Sequence, residues 1–313
     1  MRGSRLCALL GMFGLIAVSL SLMAQKPEPP MRGIHWARGH QPPAAQANPD
    51  MTWHGGNILT STQTAAIFWG TNWGNSSFVS DKITGLDSWY NGVGGSTYGA
   101  TADEYTGPNG TQVGDTISYQ GHHIDLSSAP RHAPQTSTIL AEVCRVIPQS
   151  QLVSNGYYAV YVDKPRGHAN YCAWHSAGSC GGKQVQFAFF FSLDGDPGCD
   201  PQSTVSSESQ GLAALANVTG HELSEARSDP QLNAWYDSSG AENADKCAWT
   251  FGGPYVSFSN GSHWKIQGNW SNYAFDNNLG YPNSSNQNGC VDGTNVPGPF
   301  TRLIAKRAHS FSG

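Results

Sequence analysis

Charged residues are scarce in this 313-residue chain. Lys, Arg, Asp and Glu together make up 12% of it, about half the share of an average globular protein. Acidic residues outnumber basic ones by 22 to 17, and the basic residues form no dense block. Because nucleic-acid-binding proteins depend on basic patches, we expect no nucleic-acid partner.

Long apolar runs are absent except at the N-terminus. Arg2 and Arg5 precede an apolar stretch over residues 6–23, which ends at the small residue Ala24. This order is typical of a secretory signal peptide and predicts that residues 1–24 are one. The stretch is barely long enough to span a bilayer, so a membrane anchor is the weaker alternative. We therefore expect a secreted, extracellular protein that is not embedded in a membrane.

Cys-x-x-Cys pairs, which zinc sites favour, do not occur. Cys7 lies in the predicted signal peptide, and six cysteines remain: Cys144, Cys172, Cys180, Cys199, Cys247 and Cys290. An even number in an exported chain predicts three disulfides. Six cysteines allow 15 pairings. The short separation of Cys172 and Cys180 favours that pair, which would close a loop.

The composition divides the chain into three parts after the signal peptide. Residues 25–50 are rich in Pro, Ala and Gln, which predicts a flexible leader or propeptide outside the core. Residues 51–295 alternate strand-like and helix-like segments, which predicts a single α+β domain. Residues 296–313 are predicted to be a basic C-terminal tail. The predicted strands are 64–69, 157–162 and 184–191, and the predicted helices are 81–90, 138–146 and 204–226.

The predicted helix over 204–226 carries an apolar stripe and a charged motif. The stripe consists of residues at three- and four-residue steps: Leu212, Leu215, Thr219, Leu223 and Ala226. His221 and Glu225 lie four residues apart, so they share one face beside that stripe. The Asp229-Pro230 pair predicts the end of the helix.

The sequence His221-Glu222-x-x-Glu225 indicates metal chemistry. Zinc peptidases place two ligands one helical turn apart with a general-base Glu between them, usually as His-Glu-x-x-His. Glu225 stands at the second His position, and a carboxylate is a competent zinc ligand. We therefore predict a zincin-like domain, a mixed sheet packed on this long helix, in which His221 and Glu225 bind zinc and Glu222 is the catalytic base.

A third ligand must come from elsewhere in the chain. The segment GAENADKC offers Asp245 as the first choice and Glu242 as the second. Asp229 is a weaker choice because it lies eight positions after His221, about 12 Å along a continuous helix. These assignments predict a secreted zinc peptidase that acts on a peptide or protein substrate.

Two other interpretations remain open. In the first, Glu222 and Glu225 are solvated and His221 is a hydrogen-bonded helix residue, although the charge-free stretch 211–220 just before them argues against it. In the second, the chain is a non-catalytic extracellular or cell-wall interaction protein, in which the same acidic cluster is structural or holds calcium. Calcium would use Glu222, Asp229 and backbone carbonyls rather than His221.

Other candidate residues have less support. His122 and His123 are predicted to form a polar patch at a strand edge, and His168 and His175 to be exposed loop residues. No Gly-x-Ser-x-Gly sequence is present, which disfavours a serine hydrolase.

Residues 220–249 (GHELSEARSDPQLNAWYDSSGAENADKCAW) resemble the phosphate-induced protein 1 (exordium-like) family. The shared order is His-Glu-Leu-x-Glu, Pro, Asn-Ala-Trp-Tyr and an acidic pair before Cys. Residues 54–70 resemble the opening strand of that family, and the likeness spans most of 54–292. The resemblance implies an extracellular protein, associated in plants with the cell wall and with growth responses, and therefore a cell-wall component as an alternative partner. It implies no particular reaction.

Overall fold

The computed structural model of the protein describes residues 28–42, 49–205 and 207–294, which form a mixed α/β structure. The strands are β1 Arg32–Trp36, β2 Thr52–Trp53, β3 Thr62–Trp69, β4 Ile117–Asp125, β5 Gly156–Pro165, β6 Tyr171–Cys180, β7 Lys183–Ser192, β8 Trp235–Tyr236, β9 Val256–Ser257, β10 His263–Trp264, β11 Asn269–Trp270, β12 Tyr281–Pro282 and β13 Asn288–Val291. The α-helices are α1 Ser76–Val79, α2 Lys82–Val93, α3 Thr136–Val146, α4 Gln210–Ser228 and α5 Asn272–Asp276. The 3₁₀ helices are Thr71–Gly74, Gly99–Ala102, Pro108–Gly110 and Asp245–Cys247. The predicted signal peptide and C-terminal tail lie outside the described residues.

The main sheet has six strands in the order β1-β6-β7-β5-β3-β4. Strand β3 pairs in parallel with β4 and β5, and β5 pairs in parallel with β7. Strands β6 and β1 run antiparallel to their neighbours, so the sheet is mixed, as predicted. The three predicted strands are confirmed as β3, β5 and β7. Their near-continuous burial follows from parallel pairing with both faces covered.

Helix α4 is the central helix of the molecule. Every residue from Gly211 to Ser228 is buried, and the helix packs against β6, β7, β1 and α2. The Tyr161 hydroxyl on β5 lies 2.8 Å from the Thr219 hydroxyl, which ties the helix to the sheet. The predicted apolar stripe is therefore buried, as expected, but the buried surface of the helix is wider than that stripe. The low charge of the segment allows the helix to be buried on all sides.

The ends of α4 are set by local side-chain bonds. Ser209 caps the N-terminus, because its side chain accepts a hydrogen bond from the Leu212 N–H. The helix therefore starts at Gln210, six residues later than predicted. Its last residue is Ser228, so the predicted end at Asp229-Pro230 is confirmed. The other predicted helices are confirmed as α2 and α3, with α3 starting two residues early.

Part of the predicted leader, residues 25–50, forms regular structure. Residues Arg32–Trp36 form β1, which pairs with β6 through Arg32 opposite His175 and Trp36 opposite Tyr171. The register shifts between Arg32 and His35, and Gly33 within this bulge has a φ of 45°, a value that suits glycine. The expectation of a flexible segment outside the core is therefore wrong for 32–36, whereas a propeptide role stays a prediction.

Three disulfides are present, as predicted. They join Cys144 to Cys180, Cys172 to Cys199 and Cys247 to Cys290. The favoured pair Cys172–Cys180 is wrong because both residues lie on β6, where eight residues of extended chain separate them by about 26 Å. Three disulfides fit an extracellular protein.

Within the described ranges, no helix combines the length and the apolar character needed to cross a bilayer.

These pairings make a prediction for peptide mapping. Non-reducing digestion is expected to give the three linked pairs and no free thiol among the six cysteines. Cys247→Ser with Cys290→Ser should lower the free energy of unfolding by roughly 4 kcal/mol, because the pair closes a loop with a sequence separation of 43. A peptide that joins Cys172 to Cys180 would contradict the topology of β6.

Candidate metal centre

Helix α4 and the 3₁₀ helix Asp245–Cys247 bring three of the predicted ligands together. The Nε2 atom of His221 lies 3.2 Å from Glu225 Oε1 and 3.5 Å from Asp245 Oδ1. The Asp245 N–H donates to Glu225 Oε1 at 2.8 Å, which holds the turn against the helix. The Cys247–Cys290 disulfide anchors the same turn. The first-choice ligand set of His221, Glu225 and Asp245 therefore converges on one point.

These separations match a shared zinc ion. Ligand atoms arranged tetrahedrally at about 2.05 Å from zinc are about 3.3 Å apart, close to the observed 3.2 and 3.5 Å. His221 Nε2 makes no hydrogen bond with acceptable geometry among the described residues, although it is fully buried. A buried nitrogen in this situation is costly unless another partner satisfies it.

The Gln267 side chain lies between His221 and His35. Its amide nitrogen lies 3.1 Å from His221 Nδ1 and donates to the Ala244 carbonyl at 2.8 Å, while its oxygen lies 2.9 Å from His35 Nε2. An amide nitrogen that donates to Nδ1 places the imidazole proton on Nε2. A metal at Nε2 instead needs that proton on Nδ1. A metal at Nε2 would therefore need another acceptor for the Nδ1 proton, because the Ala244 carbonyl and the Trp249 N–H fix the orientation of the Gln267 amide.

Glu242, the second-choice ligand, lies in a neighbouring group. Its Oε2 is 2.8 Å from His175 Nε2, and His175 Nε2 is 3.8 Å from Glu225 Oε2. His175 was predicted to be an exposed loop residue, but it is fully buried in β6. That prediction is wrong because residues 171–180 form an internal strand of the sheet rather than a disulfide-closed loop.

Glu222 is placed differently from the ligand residues. It is fully buried, and neither carboxylate oxygen has a hydrogen-bond partner among the described residues. Burial raises the pKa of Glu222 well above its usual value, and the nearby His221 opposes that shift. It belongs to neither group of converging ligand atoms. The role of Glu222 as the catalytic base therefore stays a prediction.

The buried carboxylates repel one another. Burial, and then the charge of Asp245, raises the pKa of Glu225 to about 7. Burial, followed by the charge of Glu225, raises the pKa of Glu242 well above its usual range. Burial lowers the pKa of His175 to about 3, which leaves its imidazole neutral. Burial also lowers the pKa of His221, but Glu225 and Asp245 outweigh it and raise the net value well above normal.

Strand β1 covers the centre. A Cβ atom added at Gly33 would collide with the His175 imidazole and with Glu225 Oε2, so the glycine backbone lies directly against both side chains. The His35 ring packs edge-on against His221 at 4.2 Å between centroids. A cavity of about 510 Å³ lies beside β1, and among the ligand residues it reaches Asp245 alone. The other ligands are closed off in this conformation.

The remaining candidates belong to neither group of converging ligand atoms. His122 pairs with Asp87 at 2.9 Å, and His123 lies 3.1 Å from Gln151 Oε1. Asp229 accepts hydrogen bonds from the Asn233 and Ala234 N–H groups and so caps the loop after α4. His168 lies in the turn between β5 and β6.

Sequence reasoning missed three residues of the centre: His35, His175 and Gln267. Each lies on a strand or loop that is far from α4 along the chain, and none belongs to a local sequence motif. The alternation of apolar residues around His175 (YCAWHSAG) was the one available signal for a strand.

Comparison of the chain with family models, with curated proteins and with solved structures gives no match. The resemblance to the phosphate-induced protein 1 family therefore stays a prediction.

Proposed function

We propose that this protein is an exported, zincin-like zinc peptidase that is latent in the described conformation. His221, Glu225 and Asp245 would hold the zinc ion, and Glu222 would be the general base. The observation that carries the proposal is the convergence of the three ligand atoms at separations of 3.2 and 3.5 Å inside a buried, carboxylate-rich centre.

Zinc bound by these three residues would supply a Lewis acid and lower the pKa of a coordinated water to about 7. Glu222 lies one residue after His221, with both oxygens free of hydrogen bonds among the described residues. As the general base, Glu222 would accept a proton from that water and then pass it to a leaving amine.

The donor set favours zinc over calcium. Calcium takes six to eight oxygen ligands, and the two groups of converging ligand atoms offer only two carboxylates and one histidine each. The centre instead offers the imidazole nitrogens of His221 and His175 beside the carboxylates, and zinc accepts mixed nitrogen and oxygen ligands.

The proposed peptidase would be inactive in this conformation because β1 covers the ligand residues. His221, Glu222 and Glu225 have no solvent-exposed surface, and Gly33 lies against Glu225. A substrate peptide would need β1 to leave. Departure would expose the edge of β6, to which an extended peptide can add as a strand. The predicted propeptide role of residues 25–50 agrees with this arrangement.

The first test is metal content. Purified protein is expected to contain zinc by elemental analysis, and His221→Ala should lose one equivalent per chain because it removes the central nitrogen ligand. His123→Ala is the matched control, since this histidine lies on β4 away from the centre, and it should retain the wild-type content. Wild-type protein with calcium or without metal would contradict the zinc assignment.

The second test separates catalysis from binding. Glu222→Gln should keep its zinc but lose about 10²- to 10⁴-fold in turnover, because an amide cannot accept the proton. Glu225→Gln should instead lose metal, since it removes an anionic ligand. The assay is chelator-sensitive cleavage of a mixed peptide library at neutral pH.

This assay needs an opened form of the protein. A site-specific protease sequence in place of residues 43–48 would allow the leader to be cut and then separated by size exclusion. The opened form should cleave peptides and the uncut form should not. No cleavage by either form with zinc fully bound would contradict the peptidase proposal and favour the non-catalytic interaction protein.

A further inference from the structure

Two groups of potential metal ligands share the Glu225 carboxylate. The first group is His221, Glu225 and Asp245, and the second is His175, Glu225 and Glu242. Glu225 Oε1 faces His221 Nε2 at 3.2 Å, while Oε2 faces His175 Nε2 at 3.8 Å. Each oxygen of one carboxylate is thus directed to a different histidine, as in carboxylate-bridged sites with two metals about 3.5–4 Å apart.

When ionised, the carboxylates of the region exceed the charge that one divalent cation balances. Glu222, Glu225, Glu242 and Asp245 together carry four negative charges when ionised, and the first three are completely or almost completely buried. The basic side chains that face Glu225 are His221 and His175, and Glu242 faces His175 alone of these two. Uncompensated carboxylates at this depth are costly.

Two nearby cationic side chains act elsewhere. Lys246 pairs with Asp237 at 2.7 Å. Arg227 donates to the carbonyl oxygens of Gly99 and Gly114, both at 2.7 Å. Two divalent cations would balance the four carboxylates.

An unpartnered atom also points into the second group. Glu225 Oε2 is buried and has no hydrogen-bond partner among the described residues. Its neighbour His175 is held by its place in β6, opposite Arg32 of β1. The separations from His175 Nε2, 2.8 Å to Glu242 and 3.8 Å to Glu225, bracket the value of about 3.3 Å expected across a tetrahedral zinc ion.

We propose a second divalent-metal site formed by His175, Glu225 and Glu242, bridged to the first through the Glu225 carboxylate. The bridge rests on the proposed function, because it requires the His221 centre. The second site does not, because it has its own histidine and its own carboxylate. In a bridged pair, the second ion would balance the charge of Glu242. It would also bind Glu225 Oε2 and so reduce the repulsion between Glu225 and the other carboxylates.

The experiment counts metals and detects their coupling. Full-length protein is stripped with a chelator and reconstituted with zinc for elemental analysis, and with cobalt(II) for electron paramagnetic resonance. Wild type is expected to bind two ions per chain, and its cobalt signal should be weakened by exchange through the bridging carboxylate. His175→Ala and the nearly isosteric Glu242→Gln should each bind one ion and give an uncoupled cobalt signal. Near-ultraviolet circular dichroism checks that each variant is folded.

The outcomes separate this inference from the proposed function. One ion in wild type that His175→Ala retains and His221→Ala loses would overturn the second site and leave the His221 centre standing. One ion that His175→Ala loses and His221→Ala retains would overturn the His221 centre and the bridge, but not the second site. Two ions without magnetic coupling would overturn the bridge through Glu225.

Discussion

The burial of carboxylates around Glu225 is the constraint on which the rest of this structure depends. Glu225 has no exposed surface, and its pKa is raised to about 7 by burial and then by Asp245. Three further carboxylates and two histidines surround it. A domain normally avoids such a centre, because each desolvated charge costs several kcal/mol unless it is paired. The arrangement is understandable when divalent cations are part of the folded protein, since metal binding then contributes to folding itself.

Several features of the fold serve this centre. The low charge of α4 before His221 lets the helix lie between the sheet and α2, so its charged face meets protein rather than water. The Cys247–Cys290 disulfide holds the turn that carries Asp245. Strand β1 completes the enclosure, and only glycine fits at position 33, where the backbone lies against His175 and Glu225. The same strand therefore stabilises the centre and blocks it.

The sequence predicted the parts of this centre that are encoded locally. The spacing of His221 and Glu225 and the end of α4 follow from helical periodicity and from Pro230, and the strand pattern identified β3, β5 and β7. Asp245 was found because it lies within reach along the chain. His175 and Gln267 were missed because no local pattern links them to α4. Strand β1 was missed because a Pro- and Ala-rich composition surrounds five residues whose conformation is imposed by β6. The prediction of the Cys172–Cys180 disulfide was wrong for the same reason, because disulfide pairing depends on long-range topology.

The most direct test of the account is the dependence of folding on zinc in wild type and in Glu225→Gln. We predict that zinc raises the free energy of unfolding of chelator-treated wild type, by about 2.7 kcal/mol at a zinc concentration one hundred times the dissociation constant. Without metal, Glu225→Gln should be at least as stable as wild type, because it removes a buried charge, and zinc should stabilise it much less. Two results together would contradict the claim that cations compensate this carboxylate. The first is that wild type is equally stable with and without zinc. The second is that metal-free Glu225→Gln is less stable than metal-free wild type.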